Sequence, residues 1–119
     1  MAAPNIVNVT TITGKTAVQQ VTTAATAIVT NAAASNKVLK VNTLYIANVD
    51  GTNAADITVA LYRSSASVAY ELAHTVSVPA DSTLDVISKS IYLEEGDDLR
   101  LTASANSDLE AVCSYEEIS

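Results

Sequence analysis

The sequence has no tryptophan and no phenylalanine, a single cysteine, a single histidine, three glycines and two prolines. Each scarcity excludes something. One cysteine, Cys113, cannot form an internal disulfide, and no Cys/His spacing here resembles a zinc site. Three glycines leave no glycine-rich phosphate cradle. Gly14-Lys15-Thr16 has the ending of such a loop but lacks the upstream glycine. Only six Lys and Arg are present, scattered along the chain, so there is no basic cluster to displace phosphate counterions, and nucleic acid is not an expected partner. No run of about 18 apolar residues occurs, so no membrane span is expected. The N-terminus, Met1-Ala2-Ala3-Pro4-Asn5, shows neither a basic region nor a long apolar run, so no signal peptide is read there. Charged residues make up 16% of the chain, well under the usual ~25%. No acidic residue precedes Asp50, so the first part carries only Lys15, Lys37 and Lys40, and the rest accounts for a net charge of −7.

What is present is Thr, Val, Ala, Ile and Leu, with five Tyr. A chain of 119 residues fits one domain whose core is built from aliphatic side chains. β-Branched residues and period-two alternation point to strands almost throughout. Ile57/Val59/Leu61, Leu99/Leu101/Ala103 and Leu109/Ala111/Cys113/Tyr115 each share one face, as do Val68, Tyr70, Leu72, His74, Val76 and Val78. In residues 37–49 apolar side chains occupy both faces: Leu39, Val41, Tyr45 and Val49 on one, Val38, Leu44 and Ile46 on the other. This pattern predicts a central strand covered on each side, by the core and by a neighbouring subunit. Turns are expected at Asp50-Gly51, Arg63-Ser64-Ser65, Pro79-Ala80-Asp81-Ser82 (type I), Glu95-Gly96-Asp97 and Asn106-Ser107-Asp108. The Ala-rich piece 24–34 has helical propensity, but its Thr and Val favour strand. Seven to nine strands at this spacing predict an all-β, single-domain antiparallel β-sandwich or jelly roll. It has an N-terminal arm and first strands in 1–36 and a sandwich core in 37–119.

The candidate sites give no catalytic constellation. His74 falls on an apolar strand face with no basic or acidic partner evident, so a packed or interface histidine is expected rather than a general base. Cys113 sits in an apolar alternation, with Glu110, Glu116 and Glu117 nearby to disfavour a thiolate. The turn Glu94-Glu95-Gly96-Asp97-Asp98 has the oxygens for Ca²⁺ but not the alternating EF-hand loop, and reads as a solvated acidic turn. No cofactor and no metal is expected, and the inventory argues against an enzyme. A carbohydrate-binding jelly roll would need exposed aromatic platforms, whereas alternation turns Tyr45, Tyr70 and Tyr115 inward.

Three stretches carry a resemblance: Val41-Asn42-Thr43-Leu44-Tyr45-Ile46-Ala47-Asn48; residues 91–103, with Glu94-Glu95-Gly96-Asp97-Asp98; and Val112-Cys113-Ser114-Tyr115-Glu116-Glu117-Ile118-Ser119. Over about residues 37–119 the chain resembles small virion structural proteins of tailed bacteriophages, especially those infecting marine cyanobacteria. The resemblance implies a virion component present in many copies: a capsid decoration or cement protein, often trimeric, bound to the major capsid protein and to copies of itself. A neck, tail or fibre-attachment protein is the alternative. It supplies no catalytic residue. The weakly charged N-terminal segment suits an arm that adds a strand to a neighbour's sheet. Ile6, Val7, Val9 and Ile12 in that segment, with Val38, Leu44 and Ile46 on the second face of the central strand, are the expected assembly contacts.

Overall fold

Residues 8–119 are described in the computed structural model, and among them nine strands and no helix are found. The strands are β1 (Ile12–Gln20), β2 (Thr26–Thr30), β3 (Val38–Asn48), β4 (Ala55–Arg63), β5 (Val68–Val78), β6 (Thr83–Asp85), β7 (Ile91–Leu93), β8 (Asp98–Ala103) and β9 (Leu109–Ile118). They form two antiparallel sheets: a five-stranded one in the order β1-β9-β3-β6, with β7 also on β3, and a four-stranded one in the order β2-β8-β4-β5. The result is an all-β sandwich. Of the Ala-rich piece 24–34 only Thr26–Thr30 is strand, paired with β8, and residues 31–34 fall in the loop that follows.

The core is aliphatic, as the missing Phe and Trp require. Ile57 and Val59 of β4, Leu99 and Leu101 of β8, and Leu109, Ala111 and Cys113 of β9 are buried, in the alternation the sequence shows. Each large aliphatic side chain taken from water contributes roughly 1.5–3 kcal/mol before entropy is counted.

Two strands depart from simple alternation. In β3, Val41 pairs with Tyr115 but Thr43 pairs with Ser114, so Asn42 is an extra residue. Such a bulge reverses which parity faces inward. Leu39 and Val41 face the core before it, and Leu44, Ile46 and Asn48 face it afterwards. The part of the expected second apolar face formed by Leu44 and Ile46 is therefore a consequence of this bulge, while Val38, before it, is buried apart from the main core cluster. In β5 the expected buried face is mostly open: Val68, Tyr70, Leu72, His74 and Val76 are exposed and only Val78 is buried. β5 is the last strand of its sheet, and its pairing with β4 slips twice, opposite Ile57–Val59 and Val59–Ala60. Thr75 there has φ of 45°.

The antiparallel pairing gathers the loops at two ends. Loops 21–25, 49–54, 79–82 and 104–108 lie at the first end, where Asp81 N donates to Asp50 O and Val49 N to Asp108 O. Loops 31–37, 64–67 and 94–97 lie at the second, where Gly96 N donates to Asn31 O and Asn31 N to Asp97 O. The turn at Pro79–Ser82 closes with Ser82 N donating to Pro79 O, but Asp81 in its third position has φ of 59°. That positive φ belongs to a type II turn rather than the expected type I.

Candidate functional site

Of the residues expected to make assembly contacts, Ile6 and Val7 lie outside the described residues. Val9 is half-buried, and Ile12 is exposed at the start of β1, opposite Ile118 of β9. Val38, Leu44 and Ile46 are corrected: all three are buried, Leu44 and Ile46 at 0% exposure within the chain's own core. The Asn42 bulge turns the latter two inward, so they cannot face a neighbouring subunit. β1 is paired with β9 through nine residues, so an arm can begin only before it.

The residues that could carry chemistry are placed apart. His74 is exposed rather than packed, with its Nδ1 2.9 Å from Glu71 Oε1 on the same strand. Cys113 is buried on β9, and burial, rather than its acidic neighbours, pushes the thiol up to about 11. A thiolate nucleophile needs the opposite environment. In the acidic turn only Asp97 is buried. Its Oδ1 accepts from Ser64 N at 2.9 Å, its Oδ2 from Glu94 N at 3.0 Å, and Arg63 Nε lies 3.3 Å from Oδ2. This carboxylate satisfies backbone groups of two loops and is turned away from solvent. Among the described residues no three His, Cys, Asp or Glu side chains gather as metal ligands would.

Two buried asparagines that the sequence did not single out do similar work. At the second end Asn31 Nδ2 donates to Lys37 O (2.9 Å) and Leu93 O (3.0 Å). At the first, Asn48 Nδ2 donates to Asn53 O and Val78 O, both at 2.9 Å. Each ties neighbouring segments to one strand end, because a buried polar atom left unpaired costs about 1–3 kcal/mol.

What stands out on the surface is an apolar row and an uneven charge distribution. Val18 of β1 pairs with Val112 of β9, which pairs with Tyr45 of β3; all three are exposed, so the row crosses the outer face of the five-stranded sheet. A hollow of about 320 Å³ adjoins it, lined by Val18, Gln19, Gln20, Glu110, Ala111 and Val112. A second hollow of about 190 Å³ lies on the opposite flank, where β5 meets the β6–β7 connection; Leu72, Val86, Ile87, Ser88, Lys89 and Ile91 line it. Tyr45 and Tyr70 are exposed, against the expectation that they point inward, while Tyr115 packs partly on the core. Neither hollow is lined by a tyrosine.

Five of the six Lys and Arg lie at or near the second end, each with a carboxylate. Lys15 and Lys37 both reach Glu117, Lys40 reaches Glu116, Arg63 reaches Glu94 and Asp97, and Arg100 reaches Asp98 while stacking over Tyr62. The lysines hold the Glu117 carboxyl below its ordinary value, chiefly through the Lys37 hydrogen bond. The first end has no Lys or Arg on its loops, and Asp50, Asp56, Asp81, Asp108 and Glu110 lie on or beside them. The excess negative charge thus sits mostly away from the second end.

No known protein-family profile matches this chain, and no curated protein matches it in sequence. Among solved structures, it is similar to a subunit described under Bacillus endospore appendages that form disulfide-linked pili. The identity is 14%, the TM-score 0.54, and the match covers 90% of this chain and 85% of that one. Two structures of a pentameric capsid protein from metagenomic phage sequences also align, at 18% identity and TM-scores of 0.40 and 0.41. They match 85% of this chain, which spans about 60% of their length. At such identities the endospore-appendage match shows a shared β-sandwich fold and nothing more specific.

Proposed function

We propose that this chain is a non-enzymatic structural subunit of a phage virion, a jelly-roll decoration protein that binds the head shell and stabilises it. The interleaved strand orders of the two sheets fit a jelly roll. The observation that carries the structural role is the exposed Val18–Val112–Tyr45 row on an ordered sheet face. Contiguous apolar surface of this kind marks a contact with another macromolecule. The phage assignment comes from the sequence resemblance. The same kind of sandwich also builds endospore pili described as disulfide-linked; here the single cysteine is buried and offers no exposed thiol for such a link.

The test is the number of copies in purified virions, by calibrated mass spectrometry. Hundreds per particle are expected of a shell protein. About a dozen would move it to the neck or tail, and none would overturn the reading. A chain lacking residues 1–9 keeps β1 and should fold; loss of its particle binding is expected if the N-terminal segment is the arm that adds to a neighbour.

A further inference from the structure

The two flanks of the sandwich differ in a way that makes them complementary. On one, β1 and β2 end the two sheets; on the other, β5 ends one sheet and β6 and β7 end the other. The first flank presents Val18, which at 75% is the most exposed large hydrophobic side chain among the described residues. Beside it lies Glu110, exposed and without a cationic partner. The second flank presents a hollow walled by Leu72, Val86 and Ile91, with Lys89 at its margin. Lys89 is the one Lys or Arg among the described residues that has no carboxylate within reach; the other five are paired within the chain.

We propose that a second copy of this chain docks these flanks head to tail: Val18 of one copy seats in the Leu72/Val86/Ile91 hollow of the next, and Glu110 pairs with Lys89. This deepens the structural-subunit reading and rests on it. An apolar knob with an adjacent anion meets an apolar hole with an adjacent cation, so sign and polarity agree at once. Packing the Val18 row against itself about a two-fold axis would instead bring two Glu110 carboxylates to one patch, which like-charge repulsion disfavours. Because the two contact surfaces differ, the association is heterologous, and successive copies close into a ring or extend as a chain.

Sedimentation velocity over a range of concentrations tests this with K89E, E110K, their 1:1 mixture and the K89E/E110K double variant. The wild type is expected to self-associate. Each single reversal sets like charges across the contact and should weaken association about tenfold or more. The double variant restores opposite signs at every contact and should recover association; the mixture restores them wherever the two variants alternate and should recover at least pairwise association. Val18→Asp should lose it, and all variants should melt as the wild type does, since these side chains are exposed. A monomeric wild type, single reversals that associate like the wild type, or a double variant that fails to recover would each overturn the contact. Copy number in virions decides the structural-subunit reading separately. A chain abundant in particles but indifferent to K89E keeps that reading and loses this contact.

Discussion

At Asp97 one carboxylate holds the second end of the sandwich together, accepting from Ser64 N and Glu94 N while facing Arg63. The turn that delivers it depends on Gly96, whose φ of 89° is a left-handed value that side chains with a Cβ resist. A Cβ built there would lie 2.6 Å from Ser64 Oγ and 2.7 Å from Ser64 Cβ. Strain and overlap act together, so Gly96→Ala should destabilise the fold by about 2–3 kcal/mol, read as a lower urea midpoint with an unchanged slope. An unchanged midpoint would mean that the 94–97 turn contributes little. From the sequence this segment is visible as an acidic turn, but its chemistry is not. The residue that looks like one of several solvated acids is the buried one, because the Ser64 loop closes over it.

Among the elements, β4, β8 and β9 are legible in the sequence because each buries one face and alternates steadily. β3 and β5 are not: β3 contains a bulge, and β5 ends its sheet and slips twice against β4. A bulge inserts a residue without any marker in composition, and every assignment beyond it inverts. In β3 the inversion hides Leu44 and Ile46 in the core and leaves Tyr45 outside. In β5, Thr75 adopts a positive φ that its β-branched side chain gives no reason to expect. The bulge in β3 is itself testable. Deleting Asn42 forces either Leu44 and Ile46 or the preceding Leu39 and Val41 out of the core, so the loss should exceed about 4 kcal/mol. Asn42→Ala keeps the extra residue and should cost less than about 1 kcal/mol. Equal, small losses for both variants in denaturant titrations would show that the register is not fixed by this position. The candidate surface was not legible: Val18, Val112 and Glu110 carry no pattern of their own and meet only through strand pairing, and Lys89 joins Leu72 and Ile91 on the other flank only through packing.

For the molecule as a whole, charge is arranged along the strand axis: paired at the second end, unpaired and acidic at the first. Glu117 is held below its ordinary 4.5 by hydrogen bonds from Lys37 and Lys15, and Asp50 below its ordinary 3.8 by the backbone N–H groups of Thr52 and Asn53. In both cases the folded chain binds fewer protons than the unfolded one within the window between the two values. Their contribution is therefore complete above the ordinary values and is lost as the pH falls through the folded ones. Thermal melts should show stability falling below about pH 4.5 from these groups. Added salt should weaken the Glu117 share, because its lysine partners are partly exposed and screened. A melting temperature that rises on acidification through this range would contradict the assignment. On the proposed function, the outer apolar row of the five-stranded sheet is covered in the assembly. A cryo-electron microscopy map of the virion tests that most directly. Density for this sandwich is expected on the particle with Val18 and Val112 buried against another subunit; a particle without the chain, or one in which that face is open to solvent, would contradict the proposed role.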